Sequence, residues 1–219
     1  MIVLEAIGFA VLLVLAYVAG SIPFGLVIGK LFYGVDVRQH GSGNVGTTNV
    51  FRVLGKKAGV AVLVCDMLKG YIPAAVAAAL FTPWLAVFIA AAPVVGHMYS
   101  VFLKGRGGKG IATGAAVVLA LVPLVFVIIV TVWLVLLVTT RYVSVASLAA
   151  SFMVPVSTIA LDEPLPYKIA GVAVAVIVWW AHRGNIQRLL AHTENRARMP
   201  WTRREAPEGP PMDTTGDEA

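Results

Sequence analysis

The chain has 219 residues, 59% of them hydrophobic and only 13% charged, with a mean hydropathy of +0.86. A water-soluble domain of this length carries roughly twice that charged fraction, about 25%, so the composition excludes an ordinary soluble enzyme and indicates an all-α, polytopic membrane protein. The formal charge of +6 has no soluble domain around it with which to hold nucleic acid; it is read instead through the tendency of cations to stay on the cytoplasmic side of a membrane.

In chain order, apolar runs cover 6–31, 59–80, 84–103, 111–122, 124–139, 143–161 and 167–181. Most approach the ~20 residues needed to cross a hydrocarbon core of ~30 Å. The first carries Glu5 rather than Lys or Arg ahead of it and is too long for a signal-peptide core, so a membrane helix is expected there. The run 111–122 is short, and Pro123 divides it from the next. With the N-terminus outside, Lys30, Arg38, Arg52, Lys56 and Lys57 follow the first run into the cytoplasm, and Lys104, Arg106 and Lys109 follow the third. Two segments around Pro123 bring Arg141 back to that side, place the acidic Asp162-Glu163 loop outside, and leave Arg183, Arg188, Arg196, Arg198, Arg203 and Arg204 inside. One continuous helix through Pro123 would reverse the last half. The charge distribution therefore predicts seven segments, N-terminus outside and C-terminus cytoplasmic, with a short or partial segment near 111–122 whose ends are buried in protein. Residues 1–199 form the membrane domain on this reading. Residues 200–219, rich in Pro, Gly, Glu, Asp and Thr, are expected to be a disordered cytoplasmic tail. The single Cys65 lies in an apolar run and reads as an inert thiol.

Three polar stretches interrupt the apolar background, and this topology puts all of them on one face. The first is His40-Gly41-Ser42-Gly43-Asn44-Val45-Gly46-Thr47-Thr48-Asn49-Val50-Phe51-Arg52. Its glycines permit positive φ and close backbone approach, so successive N–H groups can form a phosphate nest with Arg52 adding bidentate charge; a plain flexible loop is the competing reading. The second, Lys104-Gly105-Arg106-Gly107-Gly108-Lys109-Gly110, opens a helix at Ile111, where free N–H groups and the helix dipole attract anions. It lacks the GxxxxGK[ST] spacing of a Walker loop, and simple cationic anchoring accounts for Lys104 and Arg106 but not for Lys109 between glycines. The third, His182-Arg183-Gly184-Asn185-Ile186-Gln187-Arg188, puts His182 and Asn185 on one helix face if the helix continues. His182 can hold phosphate as a cation or act as a base, and snorkelling side chains at a helix end are the competing reading.

Among polar residues inside the apolar runs, Asp66 and Lys69 at i, i+3 can neutralise each other, and His97 is either a satisfied packing histidine or a site residue. Ser144 and Ser147 need no function by themselves. His40, His97, His182 and His192 show no metal spacing, and carboxylates near the polar stretches are scarce, so no metal site is expected. An anion or lipid transporter would line a mid-membrane path with polar residues and commonly repeat itself; no repeat is visible, and the polar residues gather at one face.

Together, SGNVGTTNVFR, GHMYSVFLKGRGGKGIAT and HRGNIQRLLAHTEN, with GSIPFG and DMLKG ahead of them, resemble the ordered signatures of the bacterial acyl-phosphate:glycerol-3-phosphate acyltransferase family over about Gly20 to Asn195. The resemblance implies a seven-helix enzyme of the bacterial cytoplasmic (inner) membrane with its active site on the cytoplasmic face. It would move the acyl group of acyl phosphate to the 1-hydroxyl of glycerol 3-phosphate, yielding lysophosphatidic acid and phosphate, the first acylation of phospholipid synthesis. By position, Ser42, Gly43 and Asn44 match the cradle of the acyl-phosphate's phosphate. Arg52, Lys109 and His182 match the cations that hold glycerol 3-phosphate, Ser147 and Asn185 match polar residues lining the same pocket, and Gly107, Gly108 and Gly110 match the second signature. Ser42, Asn44, His182 and Asn185 are the catalytic candidates; Gly43, Arg52, Gly107, Gly108, Lys109, Gly110 and Ser147 are the substrate-binding ones. Ala191-His192-Thr193-Glu194 stands where a Gly-x-Glu ending is common, which leaves the role of Glu194 open. Because acyl phosphate is already activated, the chemistry requires no cofactor, metal or covalent enzyme intermediate. The expected partners are the two substrates and the bilayer.

Overall fold

A computed structural model describes residues 2–197, so the 200–219 tail and Arg198 lie outside the described residues. The described chain is all-helical, in the order α1 (Ile2–Ser21), α2 (Phe24–Tyr33), α3 (Thr47–Leu54), α4 (Lys56–Leu80), α5 (Pro83–Met98), α6 (Ile111–Leu121), α7 (Pro123–Thr140), α8 (Val143–Ala160), α9 (Leu165–Ala181) and α10 (Arg183–Leu190). Short 3-10 turns at Val37–Gln39 and Val101–Leu103 lead into the first and second polar stretches.

Five stretches are long and apolar enough to cross a membrane, six if the apolar α9 is counted together with α10, which follows it across a 57° bend at His182. Their outward faces carry large exposed apolar side chains such as Val14, Phe88, Leu134, Phe152 and Trp179, as expected where lipid rather than water is the neighbour. The expected boundaries at Pro123, Arg141 and Asp162 all fall where helices end. Pro123 opens α7 from its first turn, where a missing N–H costs nothing. Arg141 closes α7 in the left-handed conformation, φ 63°.

One expectation changes. The run 6–31 is not one helix: it breaks at Ile22-Pro23, because Pro23 cannot donate back to α1, and α2 departs as a separate short helix. Hydropathy does not register such a break. Helix α6 is as short as the run 111–122 leads one to expect: 11 residues, a rise of about 16 Å, well short of a hydrocarbon core.

Helix α4 is the central element, packed against α1, α2, α3, α5 and α6. It approaches its neighbours through small residues, the usual way membrane helices gain contact without a hydrophobic driving force. At Gly70 a Cβ would lie 2.3 Å from the Thr113 carbonyl oxygen of α6, and at Gly59 it would lie 2.3 Å from Cγ of the Phe51 ring of α3. Apolar clusters fill three places: Ala16, Ala77 and Ile89 between α1, α4 and α5; Val118, Val125 and Val154 between α6, α7 and α8; and Val37, Val50 and Val62 beneath the first polar stretch. This last cluster seats the polar loop on the bundle.

Candidate active site

The loop after α2 is organised by a residue the sequence reading did not single out. Asn49, 2% exposed in the first turns of α3, directs Nδ2 at the carbonyls of Val37 (2.9 Å), His40 (3.1 Å) and Asn44 (2.9 Å), while its Oδ1 accepts from the Ser42 N–H (2.9 Å). Two N–H groups serve three acceptors, so one is shared. Gly41 is required here: its φ is +62°, and a Cβ would stand 2.4 Å from Asn49 Oδ1. Asn44 closes the turn by accepting from the Gly46 N–H at 2.8 Å. Ser42 and Gly43 remain exposed at the tip, so the Ser42 side chain is available but its backbone N–H is already bound.

The glycine stretch after α5 folds back on the end of its own helix. Gly107 N–H donates to Met98 O and Gly108 N–H to His97 O, each at 3.0 Å. The free-amide nest expected at these two glycines is therefore reduced: both donors are spent within the loop. Their lack of a side chain serves close approach instead, since a Cβ on Gly107 would lie 1.9 Å from His97 O. Gly110, at φ +74°, turns the chain into α6.

Lys109, between them, reaches α10. Its Nζ donates to Asn185 Oδ1 in a short bond. Asn185 Nδ2 donates to Glu194 Oε1 at 2.6 Å, and Arg188 Nε donates to Glu194 Oε2 at 2.7 Å. Glu194 thus has a defined role: its carboxylate orients the Asn185 amide so that the oxygen faces Lys109. Burial alone would raise the Glu194 carboxyl, but the bonds from Asn185 and Arg188 outweigh it and hold the group below its ordinary pKa. The segment carrying Glu194 is tied to the α7–α8 turn by the Ala197 N–H to Arg141 O bond at 2.7 Å.

The cations of and around the polar stretches are not all paired. Lys30 and Arg38 pair with Asp36, Lys69 pairs with Asp66, and Arg188 pairs with Glu194. Lys109 and Arg52 have no carboxylate within ion-pair distance among the described residues. Lys109 is half-buried, and burial, opposed by Glu194 but helped by the charges of Arg188 and Arg52, pushes its pKa down to about 8. A half-buried ammonium crowded by other cations is a site that gains most when an anion arrives.

His182, 2% exposed at the break between α9 and α10, shares Nδ1 with the Val178 carbonyl at 2.8 Å. A carbonyl can only accept, so Nδ1 carries the proton and Nε2 is left as an acceptor. Burial first, and then the Lys109 charge, lowers its pKa to about 4. Without substrate the ring is therefore neutral at pH 7, not the cation the phosphate-holding reading uses.

Asn44, Gly107, Gly108, Lys109, Trp180 and Arg183 line one open cleft, so side chains from all three polar stretches meet there. Arg183 covers the Trp180 ring, 4.4 Å from its centroid. Ser147 is buried on α8, where its hydroxyl accepts from Trp133 Nε1 at 3.2 Å; like Ser42, Gly43, Arg52, Gly110, His182 and Asn185, it is not among the residues that line this cleft. Ser144, one turn earlier, is the α8 hydroxyl that neighbours Glu194, without hydrogen-bond alignment. Arg52 stands exposed on the last turn of α3, near enough for its charge to act on Lys109. No group of three metal-ligating side chains occurs among the described residues.

The chain is similar to known proteins over most of its length. The family model for glycerol-3-phosphate acyltransferases matches residues 10–192. A glycerol-3-phosphate acyltransferase of Geobacillus kaustophilus is 47% identical over 194 residues, covering 89% of this chain and 98% of that protein. Two crystal structures of PlsY (YgiH), an integral membrane glycerol 3-phosphate acyltransferase, have the same fold at 43% identity. The glycerol 3-phosphate form gives a TM-score of 0.84, covering 87% of this chain and 96% of that one. The lysophosphatidic acid form gives 0.82, covering 86% and 95%. On the breadth of that match, and on the three polar stretches brought to one cleft, the chain belongs to the glycerol-3-phosphate acyltransferase family.

Proposed function

We propose that the protein transfers an acyl group from acyl phosphate to the 1-hydroxyl of glycerol 3-phosphate, releasing phosphate and leaving lysophosphatidic acid in the bilayer. The observation that carries this is the half-buried Lys109, held by Asn185 and Glu194, unpaired with any described carboxylate and flanked by Arg52. It supports a site for a small phosphate ester, and the relatives named for glycerol 3-phosphate supply the class of acceptor. Arg52 and Lys109 hold the glycerol phosphate. Ser42, Gly43 and Asn44, in the loop ahead of α3, receive the second phosphate.

With both substrates in one cleft, the hydroxyl attacks the acyl carbonyl directly and phosphate departs. The acceleration comes from proximity and from cations around the developing negative charge. The proton goes to a phosphate oxygen of the substrate. A phosphate monoester with a second pKa of about 6 is the better base at neutral pH than an imidazole held near 4. His182 and Asn185 then orient the acceptor: the unprotonated Nε2 of His182 accepts from its 2-hydroxyl, which leaves the 1-hydroxyl proton to the phosphate. No residue in the cleft needs to be acylated, and the proposal uses no metal or cofactor.

The same reading takes α6 as a seventh, protein-embedded crossing between α5 and α7, with the N-terminus outside, the cleft facing the cytoplasm and the protein in the bacterial inner membrane. The cations of the loops after α2 and α5, against the acidic Asp162-Glu163 loop at the other end, support this orientation.

Purified protein given glycerol 3-phosphate and either palmitoyl phosphate or palmitoyl-CoA tests the donor. Lysophosphatidic acid forms from the acyl phosphate; formation only from the thioester would refute the reading. In the same assay His182→Gln, which retains an acceptor, keeps a measurable kcat. Loss of about 10⁴-fold, the upper range for a general base, would instead make His182 the base.

A further inference from the structure

A second polar cluster lies inside the bundle, behind the cleft and outside the substrate-binding set. Asp66, Lys69 and His97 are 1%, 6% and 8% exposed. Lys69 Nζ lies 2.8 Å from Asp66 Oδ1 and donates to the Ile22 carbonyl at 2.8 Å, 5.6 Å above the centre of the Phe24 ring. Ile22 is the last residue before Pro23, at the break that separates α1 from α2. On the other side, His97 Nδ1 is 3.7 Å from Asp66 Oδ1, an electrostatic contact longer than a hydrogen bond. The far edge of the same ring abuts the glycine stretch: a Cβ on Gly108 would lie 2.1 Å from His97 Nε2, and ring atoms are its three nearest neighbours. The His97 carbonyl also holds the Gly108 N–H.

Neutralising one carboxylate with one lysine would not require this placement. The ammonium fixes the break from which α2, and through it the first polar loop, departs, and the carboxylate faces the ring against which the second loop rests. We propose that Asp66, Lys69 and His97 are positioning residues that set the Lys109 loop against the Ser42–Asn44 loop. Asp66 acts through His97, and His97 acts through its contact with Gly108. This rests on the glycerol 3-phosphate reading of the cleft. Lys109 binds the acceptor's phosphate rather than the reacting carbonyl, so displacing it raises KM for glycerol 3-phosphate more than it lowers kcat.

The test uses purified full-length Asp66→Asn, His97→Gln, Gly108→Ala and the Asp66→Asn/His97→Gln and His97→Ala/Gly108→Ala pairs. Each is measured for kcat, for KM toward glycerol 3-phosphate, and for Tm. Asp66→Asn and His97→Gln are near-isosteric and should each raise KM about tenfold, the lower range for an outer-layer partner of a binding group, with kcat changed less than threefold. Their combination is no worse than the more damaging single change. His97→Ala recovers part of the loss caused by Gly108→Ala, because the added methyl enters the space the ring has left. Unchanged KM with a lowered Tm, multiplicative losses in the first pair, or no recovery in the second would each overturn the proposal. If an isosteric variant does not yield folded protein, the Gly108 pair decides alone. Wild-type turnover, measured alongside, tests the underlying activity separately.

Discussion

At the scale of single residues, the site depends as much on amides as on cations. Asn49 holds three carbonyls and one N–H of the first loop together, so Asn49→Asp is a severe change despite its equal size. It replaces a donor with an acceptor facing three oxygens, and each buried group left unpaired costs about 1–3 kcal/mol. The expected result is a fall in kcat/KM of more than tenfold with the helical circular dichroism unchanged; activity within twofold of wild type would remove Asn49 from this role. Lys109 supplies a pH test. Its lowered pKa, about 8, means that the free enzyme loses this charge as pH rises through 8, so kcat/KM for glycerol 3-phosphate declines above that pH. In Lys109→Arg, whose guanidinium stays charged, the alkaline decline should disappear, whatever the cost to absolute rate; an unshifted decline would assign the titration to another group. Lys109, His182 and Asn185 were legible in the sequence because charged and amide side chains are rare beside apolar runs. Asn49 was hidden among Thr47, Thr48 and the loop glycines, where polar residues are ordinary. Glu194 could not be given a role until α10 placed it against Asn185 and Arg188.

At the scale of elements, boundaries marked by charge were readable, as was Pro123, where the charge balance required two segments; backbone geometry was not. The ends of α7, α8 and α9 follow from Arg141, Asp162 and His182. The α1–α2 break escaped hydropathy because both sides of Pro23 are apolar. The glycine stretch before α6 was readable as a loop, but the use of its N–H groups was not. Gly107 and Gly108 donate back to the end of α5, so the loop offers Lys109 and the α6 N-terminus rather than a full nest. The membrane placement of α6 has a direct test. In a Cys65→Ser background, cysteine at Asp162 should react with an impermeant maleimide in intact cells, and cysteine at Lys57 only after the membrane is opened. Both sites reacting from the same side would remove the seventh crossing.

At the scale of the whole molecule, the bundle converts three distant stretches into one cleft. α4 fixes α1, α2, α3, α5 and α6 around itself, and the 57° turn at His182 brings α10 back over the Lys109 loop. Apolar helices then present lipid-facing surfaces directly beside a cationic cleft, the geometry needed to join a water-soluble phosphate ester to an acyl chain and release the product sideways. The central claim is a single-step transfer between two phosphates held together in that cleft. It is tested most directly by mixing purified enzyme, in the presence of a chelator, with palmitoyl phosphate alone and then with glycerol 3-phosphate. The account predicts no phosphate released in the first mixture beyond the rate without enzyme, followed by phosphate and lysophosphatidic acid in equal amounts. A burst of phosphate equal to the enzyme before the acceptor is added, or no lysophosphatidic acid afterwards, would contradict it.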